Sequence, residues 1–337
     1  MDFYALDPAA QAERLKIAGH EALRHWGVRN ATLELIKHRE NAVFRVAQDD
    51  ATAALRIHRH GYHTDAELRS ELQWMQALSA AGIKVPEVVP TASGDLFIDY
   101  SADGLPGALQ IDLFEWIDGR QLGSVEAGIV DDGQVETIYR SIGELAARVH
   151  NQAVSWTLPA GFARHAWDAD GLAGEQPFWG QFWKLAAASA TETELLERGR
   201  ARVYDDLSRL PKSPGTYSMI HADFAPENVM VDGDDVRLID FDDAGFGWHV
   251  FELATSLYFI QGEAYFERAR NALISGYRKF RQLTDEDLEL LPLFFLARGF
   301  TYVGWVHTRS ETETARELTP YLVEKACELA EDYLMTQ

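Results

Sequence analysis

Apolar positions along this chain follow two different spacings, and the switch between them divides it. Leu15, Ala18, Ala22 and Trp26 recur on one helical face behind Asp7-Pro8, an N-cap with proline in the first turn, and Gly27 can stop the helix, so a leading helix is predicted over about 8–26. From about 32 to 58 the pattern is strand-like, with Asp49-Asp50 as a turn. Thr64-Asp65-Ala66-Glu67 reads as a capping box, which predicts a helix to about Ala81, closed by Gly82. Extended stretches at 88–100 and 109–117 complete a predicted lobe, 1–117, in which a sheet carries one internal helix. Beyond Asp118-Gly119 the spacing turns helical, with Ile138, Ile142, Leu145 and Val149 on one face. Residues 155–177 are irregular and rich in Trp and Gly, 211–215 are a break, and several amphipathic helices follow Val250. Residues 118–337 are thus predicted to form a larger, mainly helical lobe, and the class is α+β.

The stretch 221–243 carries the chemistry. Asp223 and Asn228 stand five residues apart. Two apolar strands follow at 229–231 and 236–239, turned by Asp232-Gly233-Asp234, and Asp240 sits at the end. A rigid two-stranded ribbon can return Asp240 to the neighbourhood of Asp223 and Asn228. Two carboxylates and an amide oxygen at one spot suit a hard cation such as Mg2+, with one carboxylate left to orient a hydroxyl, which is phosphoryl-transfer chemistry.

Composition narrows the setting. The chain has 337 residues, enough for two lobes with real cores. One cysteine, Cys327, allows no internal disulfide and points to a reducing compartment, the cytoplasm. Met1–Ala10 holds two aspartates and no basic cluster, against a signal or transit peptide, and no apolar run approaches 18 residues, against a membrane span. A net charge of −22 repels nucleic acid and anionic lipid, so neither is an expected partner.

The arrangement His221-x-Asp223-x-x-x-x-Asn228, a hairpin, then Ile239-Asp240-Phe241 resembles the catalytic core of the aminoglycoside phosphotransferase and choline kinase-like family, nearest its type II homoserine kinase and bacterial stress-response kinase branches. The resemblance implies a bilobal protein-kinase-like fold, with a small antiparallel β lobe for nucleotide, a larger helical lobe for catalysis and substrate, and ATP between them. It implies Asp223 as catalytic base, with Asn228 and Asp240 as Mg2+ ligands. Glu71 falls inside the apolar stripe Leu68, Leu72, Met75, Leu78 and needs a cationic partner. The resemblance makes that partner Arg56, 15 residues upstream, where kinases usually carry a lysine that holds the phosphates. The alternative is an ordinary salt bridge. Arg39-Glu40-Asn41-Ala42-Val43-Phe44 takes the place of a glycine-rich phosphate loop, so Glu40 and Asn41 are candidate nucleotide contacts. Phe114-Glu115-Trp116 takes the place of the interlobe hinge, whose backbone would meet adenine.

The resemblance therefore implies an ATP-dependent kinase acting on a hydroxyl of a small molecule: an amino alcohol, a hydroxy amino acid or an aminoglycoside. A protein serine/threonine kinase of the stress-response type and a non-catalytic nucleotide-binding module are the alternatives. Asp242, Asp243, Trp248, Tyr302, Trp305 and Arg309 are candidate substrate contacts. Arg298 shares a helical face with the last three, and Arg298 and Arg309 are suited to a substrate carboxylate, which places homoserine-like compounds first. Tyr302 and Trp305 are alternatively core residues. Gly245-Phe-Gly247 imitates a dinucleotide loop but has no third glycine and no βαβ unit around it. His150 reads as a packed core histidine, His221 as a residue that fixes the catalytic loop, and Glu252 as a brace for that loop. A transition-metal site from His221, Asp223 and His249 is the weaker reading beside Asn228 and Asp240.

Overall fold

A computed structural model describes residues 3–38, 41–122, 132–232 and 235–335. The chain forms two compact units. The first comprises Met1–Arg120, Leu158–Ala163 and Asp232–Ile239; the second comprises Gln121–Thr157, Arg164–Val231 and Asp240–Gln337.

In the first unit, α1 (Pro8–Ala22) starts where Asp7 Oδ1 accepts the Ala10 N–H at 2.9 Å, and the chain stops its helical course at Gly27, φ 72°. Strands β1 (Thr32–His38), β2 (Ala42–Gln48), β3 (Ala51–Ile57), β4 (Phe97–Tyr100) and β5 (Leu109–Glu115) form an antiparallel sheet in the order β1-β2-β3-β5-β4. Leu15 and Ala22 of α1 pack with Leu33, Phe44, Leu55, Ile57 and Ile111 of the sheet, and this core fixes the register in which β3 faces β5. Helix α2 (Asp65–Ala80) opens with the expected capping box, Thr64 and Glu67 exchanging bonds, and buries Leu68, Leu72, Met75 and Leu78. The extended stretch expected at 88–100 is shorter: Val88 makes one bridge to Phe114 and regular pairing resumes only at Phe97. Pro90 has no N–H to give a ladder, and the gap is filled by a turn in which the Thr91 N–H bonds the Asp95 carbonyl at 2.8 Å and the Gly94 N–H the Thr91 carbonyl at 2.9 Å.

The remaining elements are β6 (Arg120–Gln121), α3 (Val135–Ser155), β7 (Ala166–Trp167), α4 (Ala169–Ala173), α5 (Ala190–Arg209), β8 (Tyr217–Ile220), β9 (Val229–Asp232), β10 (Asp235–Leu238), β11 (Gly245–Trp248), α6 (His249–Leu257), α7 (Phe266–Arg278), α8 (Asp285–Leu288), α9 (Leu291–Thr308) and α10 (Glu313–Met335). The apolar stretches expected as strands around 229–239 are β9 and β10; Gly233 and Asp234 of the turn between them lie outside the described residues. Among the described residues no helix is long and apolar enough to cross a membrane.

One small sheet positions the chemistry. In the order β7-β11-β8, Gly245 of β11 lies opposite Ile220 of β8 in antiparallel register, and Phe246-Gly247 run parallel to Ala166-Trp167. The chain leaves β8 into His221-Ala222-Asp223 and enters β11 from Asp240–Ala244, so this pairing brings both segments to the same end of the sheet. The two glycines of β11 serve that sheet. A Cβ on Gly245 would lie 2.7 Å from His165 O, and one on Gly247 would strike the Ile220 side chain and come to 3.3 Å from Trp167 Cβ. Close strand packing, not nucleotide binding, is what Gly245-Phe-Gly247 provides.

Candidate active site

Asp223 is held from both sides. Asn228 Nδ2 donates to Asp223 Oδ2 at 2.7 Å and to the Asp223 carbonyl at 2.8 Å. Arg298 Nη2, from α9, donates to Asp223 Oδ1 at 2.8 Å. The Asp223 side chain keeps 24% of its surface exposed, while the Arg298 side chain is fully buried. Each carboxylate oxygen spends one lone pair on the protein and keeps another for an incoming group. The double donation by Asn228 nitrogen also leaves its amide oxygen as the donor for a cation.

The backbone on either side of the site is strained. Ala222 and Asp240 take left-handed conformations, φ 64° and 66°, a region few residues other than glycine enter. Helix α6 holds the first in place. Glu252, completely buried, accepts the His221 N–H on Oε1 at 3.0 Å and the Ala222 N–H on Oε2 at 2.6 Å. One turn later Ser256 Oγ donates to the Phe224 carbonyl at 2.6 Å. Burial pushes the Glu252 carboxyl above its ordinary range, against the pull of His221 and the two N–H groups. His221 is buried and its Nδ1 accepts the Asp223 N–H at 3.3 Å, a fixing contact of the expected kind.

Beneath this loop His150 and His249 stack with ring centres 4.2 Å apart. His150 meets Tyr277 Oη at 2.8 Å and Glu252 Oε1 at 3.3 Å; His249 meets Ser218 Oγ at 2.9 Å and the Gly215 carbonyl at 3.2 Å. Burial, first of all, holds both imidazoles far below the usual histidine range, so both are neutral. His249 is engaged in this stack rather than with His221 and Asp223, which removes the transition-metal reading.

The segment Asp240–Ala244 is gripped by Arg164, by Trp167 of β7 and by Trp179. Arg164 donates to the carbonyls of Asp242 and Ala244, each at 2.5 Å. Trp167 Nε1 donates to the Asp243 carbonyl at 2.8 Å, and Trp179 Nε1 to Asp243 Oδ1 at 3.3 Å. Asp243 carries the electrostatic load of the site. Burial, then Asp223, Asp242 and Asp240, push its carboxyl well above the ordinary range, and Arg298 pulls it back. Four acidic side chains, Asp223, Asp240, Asp242 and Asp243, thus interact here, with Arg298 as a counter-charge. Hard oxygen donors, an Asp240 carboxylate and an Asn228 amide, fit a divalent cation such as Mg2+.

Several expected contacts fall elsewhere. Trp248 is 3% exposed; its Nε1 donates to the Pro211 carbonyl at 3.3 Å and its ring packs on Tyr217 and Phe294, so it belongs to the core. Arg309 is the C-cap of α9, φ −128°, so helical spacing no longer carries it onto the face of Arg298; its guanidinium lies over the Trp305 ring at 5.3 Å. Tyr302 does reach the site: its Oη accepts from Arg298 Nη2 at 2.9 Å. Arg298 thus contacts the protein's own carboxylate at Asp223.

The first unit has its own buried charge cluster. Arg56 Nη2 lies 2.8 Å from Glu71 Oε1, the pair expected, but the same guanidinium also grips Asp112, Nε to Oδ1 at 3.1 Å and Nη2 to Oδ2 at 2.7 Å. His58 Nε2 adds a contact to Asp112 Oδ2 at 3.0 Å. Although burial raises it, Arg56 and His58 hold the Asp112 carboxyl below its ordinary value. Asp112 is absent from the sequence reading, although a carboxylate inside the apolar strand Ile111-Asp112-Leu113 demands a partner. Asn41 Oδ1 accepts the Arg59 N–H at 3.3 Å; Glu40 lies outside the described residues. The Glu115 N–H is committed to the Glu87 carbonyl at 2.9 Å, and the Trp116 ring lies under Arg45.

Residues 32–285 match the phosphotransferase enzyme family. The chain is 23% identical over 308 residues to the amicoumacin kinase of Bacillus subtilis (strain 168), covering 88% of this chain and 86% of that one. It is 30% identical over 231 residues to the homoserine kinase of Rhizobium etli, covering 67% and 63%. Among solved structures, a microcompartment-associated aminopropanol kinase superposes with a TM-score of 0.83 at 29% identity, over 96% of this chain and 98% of that one. The mixed α/β architecture with its antiparallel sheet and many helices is that of the kinase-like phosphotransferases. The chain belongs to the phosphotransferase enzyme family.

Proposed function

We propose that this enzyme transfers the γ-phosphoryl group of ATP to the hydroxyl of a small amino alcohol. The first unit is the nucleotide unit, with Arg56 toward the phosphates, and the second carries the catalytic and acceptor residues. In the transfer, the acceptor hydroxyl loses its proton to Asp223 as its oxygen bonds to the γ-phosphorus, and the bond from that phosphorus to the ADP oxygen breaks. A Mg2+ ion held by Asn228 and Asp240 would neutralise charge on the phosphates. With a single cysteine, the proposed setting is a reducing compartment, the cytoplasm.

One observation supports the choice of acceptor: Arg298, the arginine best suited to a substrate carboxylate, gives its Nη2 to Asp223 and Tyr302. The surroundings of Asp223 are otherwise acidic through Asp240, Asp242 and Asp243. Such surroundings favour an ammonium group and repel a carboxylate. The likeness to an aminopropanol kinase agrees with this reading. The test is ADP release with MgATP and a panel of 1-amino-2-propanol, ethanolamine, homoserine, an aminoglycoside and a protein acceptor. Turnover is expected with an amino alcohol and to be lower with homoserine. Stimulation by homoserine or by protein alone contradicts it.

A further inference from the structure

We infer that Arg298 is a positioning residue for phosphoryl transfer: it fixes the Asp223 carboxylate in the orientation that receives the acceptor's proton. This rests on Asp223 being the base, as proposed above.

Arg298 is a costly residue to bury. Its side chain is 0% exposed, and among the described residues its Nε and Nη1 have no hydrogen-bond partner. A buried guanidinium with two nitrogen sites unmet is poor value as a stabiliser, because desolvation exceeds what one ion pair returns. The aromatic faces around it, Tyr302 at 4.3 Å, Trp179 at 5.0 Å and Phe251 at 5.8 Å from Cζ, offset part of that cost and hold the guanidinium in place.

What the arrangement achieves is geometry. Nη2 is the nitrogen that bonds, and it is shared between Asp223 Oδ1 and Tyr302 Oη. With Asn228 on Oδ2, the two donors set the plane of the carboxylate. Removing either leaves the carboxylate free to turn about its Cβ–Cγ bond. Trp179 links this clamp to the other segment of the site, since its ring lies against Arg298 while its Nε1 donates to Asp243 Oδ1. Arg298 loses no proton in the reaction: the acceptor's proton goes to Asp223, and the phosphoryl group goes to the acceptor oxygen.

The test measures kcat and KM for Arg298→Ala, Arg298→Lys, Asp223→Asn and Asp223→Asn/Arg298→Ala, with MgATP and the best acceptor, with and without added guanidinium chloride. Arg298→Ala is expected to lose about 100-fold in kcat, the scale of a misplaced reacting group, with KM for ATP little changed. Guanidinium should restore at least about tenfold to it and nothing to Asp223→Asn. The double variant should turn over no more slowly than Asp223→Asn, because a clamp has no effect once the base is gone. Near-normal kcat in Arg298→Ala beside an inactive Asp223→Asn overturns the inference, as do losses that multiply in the double variant. If Arg298→Ala does not fold, Arg298→Lys is decisive. It keeps the charge, but its Nζ stops one bond short of Nη2 and has no planar face for the Tyr302 and Trp179 rings to hold, and a kcat equal to wild type overturns the inference. Normal turnover in Asp223→Asn instead removes the base assignment itself.

Discussion

Asp112 stands directly across the sheet from Arg56 and takes two of its hydrogen bonds, so Arg56 is anchored by a second carboxylate besides Glu71. The guanidinium fork makes this possible. A lysine presents one compact charge, whereas the guanidinium can satisfy Glu71 and both oxygens of Asp112 from one position.

Asp112→Ala should therefore destabilise the protein by about 1–3 kcal/mol, because Arg56 keeps Glu71 but its Nε and the His58 ring lose their buried acceptor. Arg56→Lys should cost less, about 1–2 kcal/mol, because charge remains but the fork is lost. Urea unfolding of the two variants checks both. Loss of less than about 0.5 kcal/mol in Asp112→Ala would show that the cluster is not a unit.

Glu252 supports the loop that carries Asp223 through two backbone N–H groups, one of them that of a left-handed alanine. Glu252→Gln keeps one good acceptor and turns an amide N–H₂ toward the other donor. The expected cost is about 1–3 kcal/mol of stability. A fall in kcat of at least about tenfold should accompany it as Asp223 shifts. Thermal melting and steady-state kinetics on the same sample read both. Unchanged kcat would mean that the loop keeps its shape without the brace.

The stacked histidines give a pH dependence of definite sign. His150 and His249 have pKa values far below the ordinary 6.5, so the unfolded chain takes up protons there that the folded chain refuses. Their contribution to stability is complete above about pH 6.5 and is lost as pH falls below it, by up to about 1.4 kcal/mol per pH unit for each. Glu252 and Asp243, whose pKa values are raised, act in the opposite direction, so the informative quantity is a difference. Between pH 6.5 and 5, His249→Asn should lose stability less steeply than wild type by about 1.4 kcal/mol per unit. Parallel slopes would place a charged imidazole in the folded stack.

The residues legible in the sequence are those whose function is local. Asp223, Asn228 and Asp240 lie within one stretch whose spacing and flanking strands already imply convergence, the capping box at Thr64 follows from its three-residue spacing to Glu67, and the buried Glu71 follows from helical periodicity. Asp112 depends on the register between β3 and β5, which no local pattern states. Arg164 and Trp167 reach the Asp240–Ala244 backbone from β7 and just before it, a strand of two residues too short to leave a periodic trace, and Trp179 reaches the Asp243 carboxylate from farther along the chain. Helix α5 could have been read, since Ser189 and Glu192 form a capping box. Trp248 and Arg309 misled for a plain reason: proximity in sequence or helical angle says nothing of which neighbour a ring packs on, or of where a helix ends.

The most direct test of the account is the Asp223→Asn variant, assayed for ADP release with an amino alcohol while MgATP binding is measured by calorimetry. General-base catalysis is worth about 100- to 10,000-fold, so turnover should fall by at least about 100-fold while MgATP affinity stays near that of wild type. Turnover close to wild type in Asp223→Asn would contradict the account.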